Sequence, residues 1–286
     1  MTTPAAPLWL ALNRPIVSGR RPRVMGIVNV TPDSFSDGGN WLDPSAALAH
    51  ARRLAEEGAD LIDIGGESSR PGADIVPLDE ELRRVLPVIE AIRDSIPLPI
   101  SIDTAKPEVA RRALELGASI VNDIGGLRDP AMARVVAESS AGVVIMHMAG
   151  TPQTMQIEPR YENVVEDVRS YLARQIEFAE SFGISRERIA IDPGIGFGKT
   201  TEHNRQLLRG IARFATLGCA VLIGTSRKGF LGKLTGKTTG ELAIASVVSS
   251  LAALDRGATV TRVHDVGPMV DAIKIWDAVH GWGEDS

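Results

Sequence analysis

P-I-S-I-D-T-A-K-P-E-V-A-R-R-A-L-E-L-G-A-S-I-V-N-D, residues 99–123, holds one complete repeat of the chain's architecture. Two short apolar runs, 99–103 and 119–123, read as strands, and each turns polar at its end: Asp103 in the first, Asn122 and Asp123 in the second. Between them, 107–116 carries apolar residues at helical spacing. Pro107 suits a first helical position, and Gly117 suits the stop just past the last turn. Strand, helix, strand over so short a span is a βαβ unit, which sets its two strands parallel.

The same alternation recurs in both directions. Further strands are predicted at 23–29, 60–65, 142–147, 188–192, 220–224 and 259–264, and helices at 45–57, 79–94, 130–139, 162–182, 202–213, 240–256 and 268–279. Gly58, Gly183 and Gly257 fall at stop positions like that of Gly117. Eight strand–helix units with no large segment left over predict an α/β protein built as a single closed (β/α)8 TIM barrel rather than an open doubly wound sheet. No linker or composition shift divides the chain, so 23–286 reads as one catalytic domain. Residues 1–22 form an N-terminal extension, expected as a hairpin or plug under the barrel.

Composition agrees. The 286 residues are 44% hydrophobic but only 4% aromatic, so the core must come from Ala, Val, Ile and Leu, as in parallel strands buried on both faces. A net charge of -5 without any Lys/Arg-rich block argues against a nucleic-acid partner. Cys219 is the only cysteine, which excludes an internal disulfide or a cysteine-rich metal site, and its L-G-C-A-V-L-I context reads as core. There is no apolar run of about 18 residues, hence no membrane span. The N-terminus lacks a basic stretch followed by a long apolar one, so the expected address is cytoplasmic.

The strand ends carry the functional signal. In order they are Asn29, Asp63, Asp103, Asn122 with Asp123, His147, Asp192, Ser226 to Lys228, and Arg262 with His264. In a barrel these ends share one mouth, where catalytic groups collect. Any one of them alone reads as a cap or loop anchor, but caps belong at helix starts and do not explain a whole series. A mouth rich in Asp and Asn acceptors suits a ligand with several N–H groups, and its Lys and Arg suit phosphate. Two loops stand over it. V-N-V-T-P-D-S-F-S-D-G-G (28–39) carries Phe35 as a candidate lid, and G-G-E-S-S-R-P-G (65–72) offers hydroxyls and Arg70 to an anion. D-P-G-I-G-F-G-K-T (192–200) is not a nucleotide phosphate loop, because Pro193 stands where the first glycine is required.

Taken together, N-V-T-P-D-S-F-S-D-G-G (29–39), G-G-E-S-S-R-P-G (65–72), S-I-D-T (101–104), V-N-D-I (121–124), D-P-G-I-G-F-G-K (192–199), S-R-K (226–228) and R-V-H-D (262–265) closely resemble the bacterial dihydropteroate synthase family, in order from about residue 23 onward. The resemblance implies condensation of a dihydropterin methyl diphosphate with 4-aminobenzoate. It implies a pterin site of Asp103, Asn122, Asp192 and Lys228, and a diphosphate site of Ser69, Arg262 and His264. It further implies Mg²⁺ at Asn29, Arg70 and Pro71 beside 4-aminobenzoate, Phe35 on the mobile first loop, and a homodimer through the last helices. Asp103, Lys228, Arg262 and His264 are the expected catalytic groups. Two positions depart from the family pattern: Ser69 replaces a usual Thr and keeps the hydroxyl, while Gly229 replaces a common Ser and loses one. A pterin-binding methyltransferase domain and a non-catalytic paralogue that binds pterin or a protein partner are the competing readings. The first has no use for the R-V-H and S-R-K blocks, and for the second nothing in the sequence looks lost. His147 and Lys199 are expected to be structural, and His50, His203 and His280 to be surface residues. Met146, Met148 and Met155 are expected to pack.

Overall fold

The computed structural model describes residues 8–19, 21–31, 44–70 and 72–280. A small hairpin, β1 (Trp9–Ala11) and β2 (Arg14–Val17), comes first. The repeating part then runs β3 (Arg23–Asn29), α1 (Pro44–Glu56), β4 (Leu61–Gly65), α2 (Leu78–Ser95), β5 (Ile100–Asp103), α3 (Pro107–Glu115), β6 (Ile120–Asp123) and α4 (Pro130–Glu138). It continues through β7 (Gly142–Met146), α5 (Val164–Ser181), β8 (Ile189–Asp192), α6 (Thr201–Arg209), α7 (Ile211–Ala215), β9 (Ala220–Ile223), α8 (Gly229–Thr235), α9 (Ala243–Leu254), β10 (Val260–Val263) and α10 (Val266–His280). Strands β3 to β10 form a closed parallel barrel, with β10 pairing both β9 and β3. The expected (β/α)8 barrel is therefore the observed fold.

Local differences have physical causes. The helix expected over 202–213 breaks at Gly210 into α6 and α7. A Cβ there would lie 2.8 Å from Val165 on α5, so the break is where α5 approaches the backbone. The short helix α8 escapes a periodicity reading because Gly229 and Gly232 weaken its propensity; it ends on Gly236 with φ of +72°. Elsewhere the glycine stops hold: Gly58, Gly117, Gly183 and Gly257 all have positive φ, and Pro107 opens α3.

Two cores result from the two-residue period of the strands. One lies between strands and helices and includes Ile62, Ile64, Ile102, Val121, Val143, Ile191 and Ile223. The other fills the barrel's lower interior with Met25, Leu61, Ile120, Val144, Ala190, Leu222 and Val260, and Trp9, Ile16 and Val17 of the hairpin complete it. The hairpin turn places Leu12 and Asn13 at positive φ, as a two-residue type I′ connection requires. Trp9 is fully buried and donates its indole N–H to the Arg188 carbonyl at 3.2 Å, and Leu12 N–H donates to Ser140 O at 2.7 Å. The hairpin thus closes the barrel floor. Among the described residues no helix is long and apolar enough to cross a membrane.

Candidate active site

Strand alternation builds the site. Leu61, Ile120, Ala190 and Val260 point into the barrel, so residues two further along point the same way: Asp63, Asn122, Asp192 and Arg262. At the mouth these side chains meet. Arg262 donates from Nε to Asp63 Oδ2 and from Nη2 to Asp103 Oδ2, both at 2.6 Å. Asn122 Nδ2 donates to the same Asp63 oxygen at 3.1 Å. Asp63 is fully buried, and its other oxygen, Oδ1, has no partner among the described residues.

The charges are strongly coupled. Burial lifts the Asp103 carboxyl to about 7; Arg262 opposes this, while Asp63 and Glu81 add to it. Burial lowers Arg262, but Asp63 and Asp103 outweigh that and raise it, so it remains a cation. Lys228 is brought down to about 8, by burial first and Arg262 second, with Asp192 and Asp103 pulling it up. Its Nζ sits 3.9 Å from the centre of the Phe197 ring, a cation–π contact. Asp192 is raised by burial, and its Oδ1 accepts from Gly194 N at 2.7 Å. His264 is pushed down to about 3 by burial and then by Arg262, and its Nδ1 lies 3.0 Å from Ser226 Oγ. Both causes favour its neutral imidazole form.

A strained turn presents Lys228. Arg227 adopts φ of +56°, held by its N–H on Ser246 Oγ at 2.9 Å and by an ion pair with Asp265 at 2.6 Å. Behind Asp192, Gly194 has φ of +68° and only 1.9 Å between a built Cβ and His147 O, so no side chain fits there. Asn29 ends β3 half-buried, and its Oδ1 faces the same Gly65 backbone that Asp103 abuts. Ser69 is half-buried and Arg70 exposed on the loop above. Among the described residues neither side chain bonds to the strand-end cluster. Phe35 and Pro71 lie outside the described residues.

His147 is buried with its Nδ1 on Lys199 Nζ at 2.9 Å, and Lys199 also donates to Phe197 O at 2.8 Å. Met146, Met148 and Met155 pack with Phe197. Cys219 is buried, its thiol pushed up to about 12, and is no nucleophile. His280 is exposed, whereas His50 and His203 are only half-exposed: His50 Nε2 sits on Ile27 O at 3.1 Å, and His203 caps α6 with Thr200. Their expected surface placement is to that extent corrected.

The family model described as "Pterin binding enzyme" matches residues 25–264. The chain belongs to the pterin-binding enzyme family. It is 44% identical over 257 residues to a dihydropteroate synthase of Haemophilus influenzae, covering 90% of this chain and 94% of that one. Its fold is similar to that of Xanthomonas albilineans dihydropteroate synthase with 4-aminobenzoic acid (TM-score 0.90, 50% identity, 96% of this chain and 98% of that one). It is likewise similar to the same enzyme in complex with 7,8-dihydropteroate (TM-score 0.84, 50% identity, 91% and 94%).

At this mouth, two contributors have no role assigned by the sequence reading. Asp63 stands in the strand-end series, yet only the Arg262 contact distinguishes it from a loop anchor. Its position two residues after inward Leu61 was the available signal. Phe197 sits in a glycine-rich run whose resemblance to a phosphate loop draws attention away from its one aromatic residue, which lies under Lys228.

Proposed function

We infer that this chain is a dihydropteroate synthase, condensing 6-hydroxymethyl-7,8-dihydropterin diphosphate with 4-aminobenzoate to give 7,8-dihydropteroate and diphosphate. One observation carries the reading: at a single mouth, Asp103, Asn122 and Asp192 offer acceptors while Lys228 and Arg262 supply charge. A fused nitrogen heterocycle with a diphosphate tail needs both. Asp192 accepts N–H bonds from the pterin amino-pyrimidine edge, the Asn122 carbonyl accepts another, and Lys228 donates to the pterin carbonyl. Met146 and Phe197 give the flat ring an apolar wall.

The C–O bond to diphosphate breaks with its electron pair leaving on oxygen. The aromatic amine nitrogen forms the new C–N bond with its own lone pair and then releases a proton to water. Negative charge growing on the leaving group is met by Arg262, with His264 and the Ser69 hydroxyl as hydrogen-bond partners. Asp103, charged once above its raised pKa, favours the cationic pterin methylene. Arg70, Pro71 and Phe35, on the two loops, complete the 4-aminobenzoate side and exclude water.

Magnesium fits the donor set. Among the described residues no cluster of three or more His, Cys, Asp or Glu is arranged to hold a metal. Asn29 offers a neutral amide oxygen beside the Asp103 strand end, suited to a hard cation that takes most of its ligands from substrate phosphate. When bound, the ion supplies charge neutralisation on the diphosphate.

The protein acts as a homodimer in the cytoplasm. In support, Ile244 and Val248 on α9 and Ile275 and Val279 on α10 are exposed, and an apolar groove of about 420 Å³ runs between α8 and α9. Light scattering checks this, and a clean monomer counts against it. The test of function is diphosphate release with both substrates, with and without Mg²⁺. Turnover that vanishes on chelation and returns with Mg²⁺ is the expected result. Pterin binding without turnover sinks the reading.

A further inference from the structure

Outside the strand-end cluster, one buried charged group is tied to both the mouth and a loop. Glu81, on α2, is fully buried, and its carboxylate accepts from Thr104 Oγ1 at 2.7 Å and from Lys106 Nζ. Lys106 Nζ also donates to Glu67 Oε2 at 2.5 Å. Thr104 directly follows Asp103, and Glu67 stands two residues before Ser69. Glu67 Oε1 accepts from Val76 N at 3.0 Å, closing the base of the 67–76 loop, and Arg84 on α2 holds Gly66 O at 2.9 Å. Gly66 itself is pressed onto α2, where a Cβ would stand 2.7 Å from Val85 and 3.0 Å from Glu81. The loop is therefore fastened at its base, while Arg70 and Ile75 further along it are exposed.

We propose that Lys106 is a positioning residue that joins the base of the 65–72 loop, through Glu67, to the buried Glu81 and the strand end carrying Asp103. It touches neither reacting group. Two carboxylates converge on its ammonium group, and their attraction outweighs its partial burial to keep it charged. With the lysine gone, Glu67 and Glu81 repel each other and the loop base loses its fixed seat. Ser69 and Arg70 then reach over the mouth from a shifted base. This rests on the functional reading above, in which that loop borders 4-aminobenzoate.

The experiment measures steady-state kinetics and pterin binding for Lys106→Met, Lys106→Arg, Glu67→Gln and the double variant Lys106→Met/Glu67→Gln. Glu67→Gln keeps the Lys106–Glu81 pair, so it stays folded even where Lys106→Met does not, and melting curves verify this. A loop base shifted by about an ångström raises the KM for 4-aminobenzoate roughly tenfold in Glu67→Gln and in Lys106→Met. Pterin affinity, measured calorimetrically, stays near wild type, Lys106→Arg recovers most of the loss, and the double variant adds little to either single one. A wild-type KM in Glu67→Gln, fully additive effects, or an equal loss of pterin affinity overturns the proposal. Absence of turnover in the wild type overturns the functional reading instead, so the two failures are distinguishable.

Discussion

The floor and the mouth of the barrel are built from the same strands and the same inward face, two residues apart. On β4 Leu61 gives way to Asp63, on β6 Ile120 to Asn122, on β8 Ala190 to Asp192, and on β10 Val260 to Arg262. Below, a hairpin seals an apolar layer around Trp9, with its one indole N–H satisfied. Above, Asp63 keeps an oxygen with no partner among the described residues, Asp103 is held far from its ordinary pKa, and Arg227 sits at positive φ. A single strand thus divides its labour along its length. Packing energy is concentrated where no chemistry occurs, and that lets the other end hold like charges and strained backbone in place.

The largest test removes the cation at the centre of the mouth. Arg262→Ala strips the partner from Asp63 and Asp103 at once. Leaving a buried carboxylate uncompensated costs about 3–5 kcal/mol of stability. Losing a donor to the developing diphosphate charge lowers kcat by roughly 10²–10³-fold. Thermal melts and diphosphate release read the two effects separately. Adding Asp63→Asn restores much of the stability and none of the activity. An active Arg262→Ala enzyme breaks the electrostatic account of the mouth.

The floor makes the converse prediction. Trp9→Ala costs about 3–5 kcal/mol by emptying a fully buried site. Because the loss falls below the polar layer, kcat/KM per folded molecule stays within about twofold of wild type. A Trp9→Ala enzyme with an unchanged melting temperature denies that the hairpin seals the barrel. A stable but inactive one denies that floor and mouth are separable.

This contrast also explains what the sequence made legible. The barrel was readable because Gly117, Gly183, Gly257 and Pro107 punctuate several of the units, and the mouth because strand after strand ends in a polar residue. The pairing inside the mouth was not readable. That Arg262 bridges Asp63 and Asp103 depends on barrel closure, which sets β10 beside β3 and across from β5, and no spacing in the chain encodes it. Nor was the Lys106–Glu81 link, since Glu81 sits in the first turn of α2 among ordinary acidic residues, and only packing shows it fully buried. Helix α8 was missed for the local reason that its glycines hide its period.

A smaller effect follows from pH. Asp103 titrates near 7 and Lys228 near 8 in the free protein. The working form needs Asp103 ionised, so kcat/KM for the pterin diphosphate falls as pH drops through about 7. It also needs Lys228 charged, so kcat/KM falls again as pH rises through about 8. Each limb changes by about tenfold per pH unit. Lys228→Arg, whose guanidinium stays charged, keeps the acid limb and loses the alkaline one. A flat profile across this window shows that neither group is tuned by the crowding that separates mouth from floor.

The smallest effect concerns Gly229, one of the two positions where the resemblance implies another residue. Gly229 opens α8 directly after Lys228, and a Cβ built there meets nothing within 4 Å. Its φ is not in the left-handed region, so a side chain is tolerated on conformational grounds as well. Replacing a glycine at the first helical position also removes a source of unfolded-state entropy. Gly229→Ser therefore places a hydroxyl beside the cationic rim at no steric cost, where it can donate to a substrate carboxylate. A single added hydrogen bond to a charged group at a solvent-exposed rim lowers the KM for 4-aminobenzoate about threefold to tenfold, with kcat unchanged. Initial-rate kinetics at saturating pterin diphosphate measure it. An unchanged KM means the acceptor carboxylate does not approach the start of α8, and the 4-aminobenzoate side of the mouth then lies nearer the 65–72 loop alone.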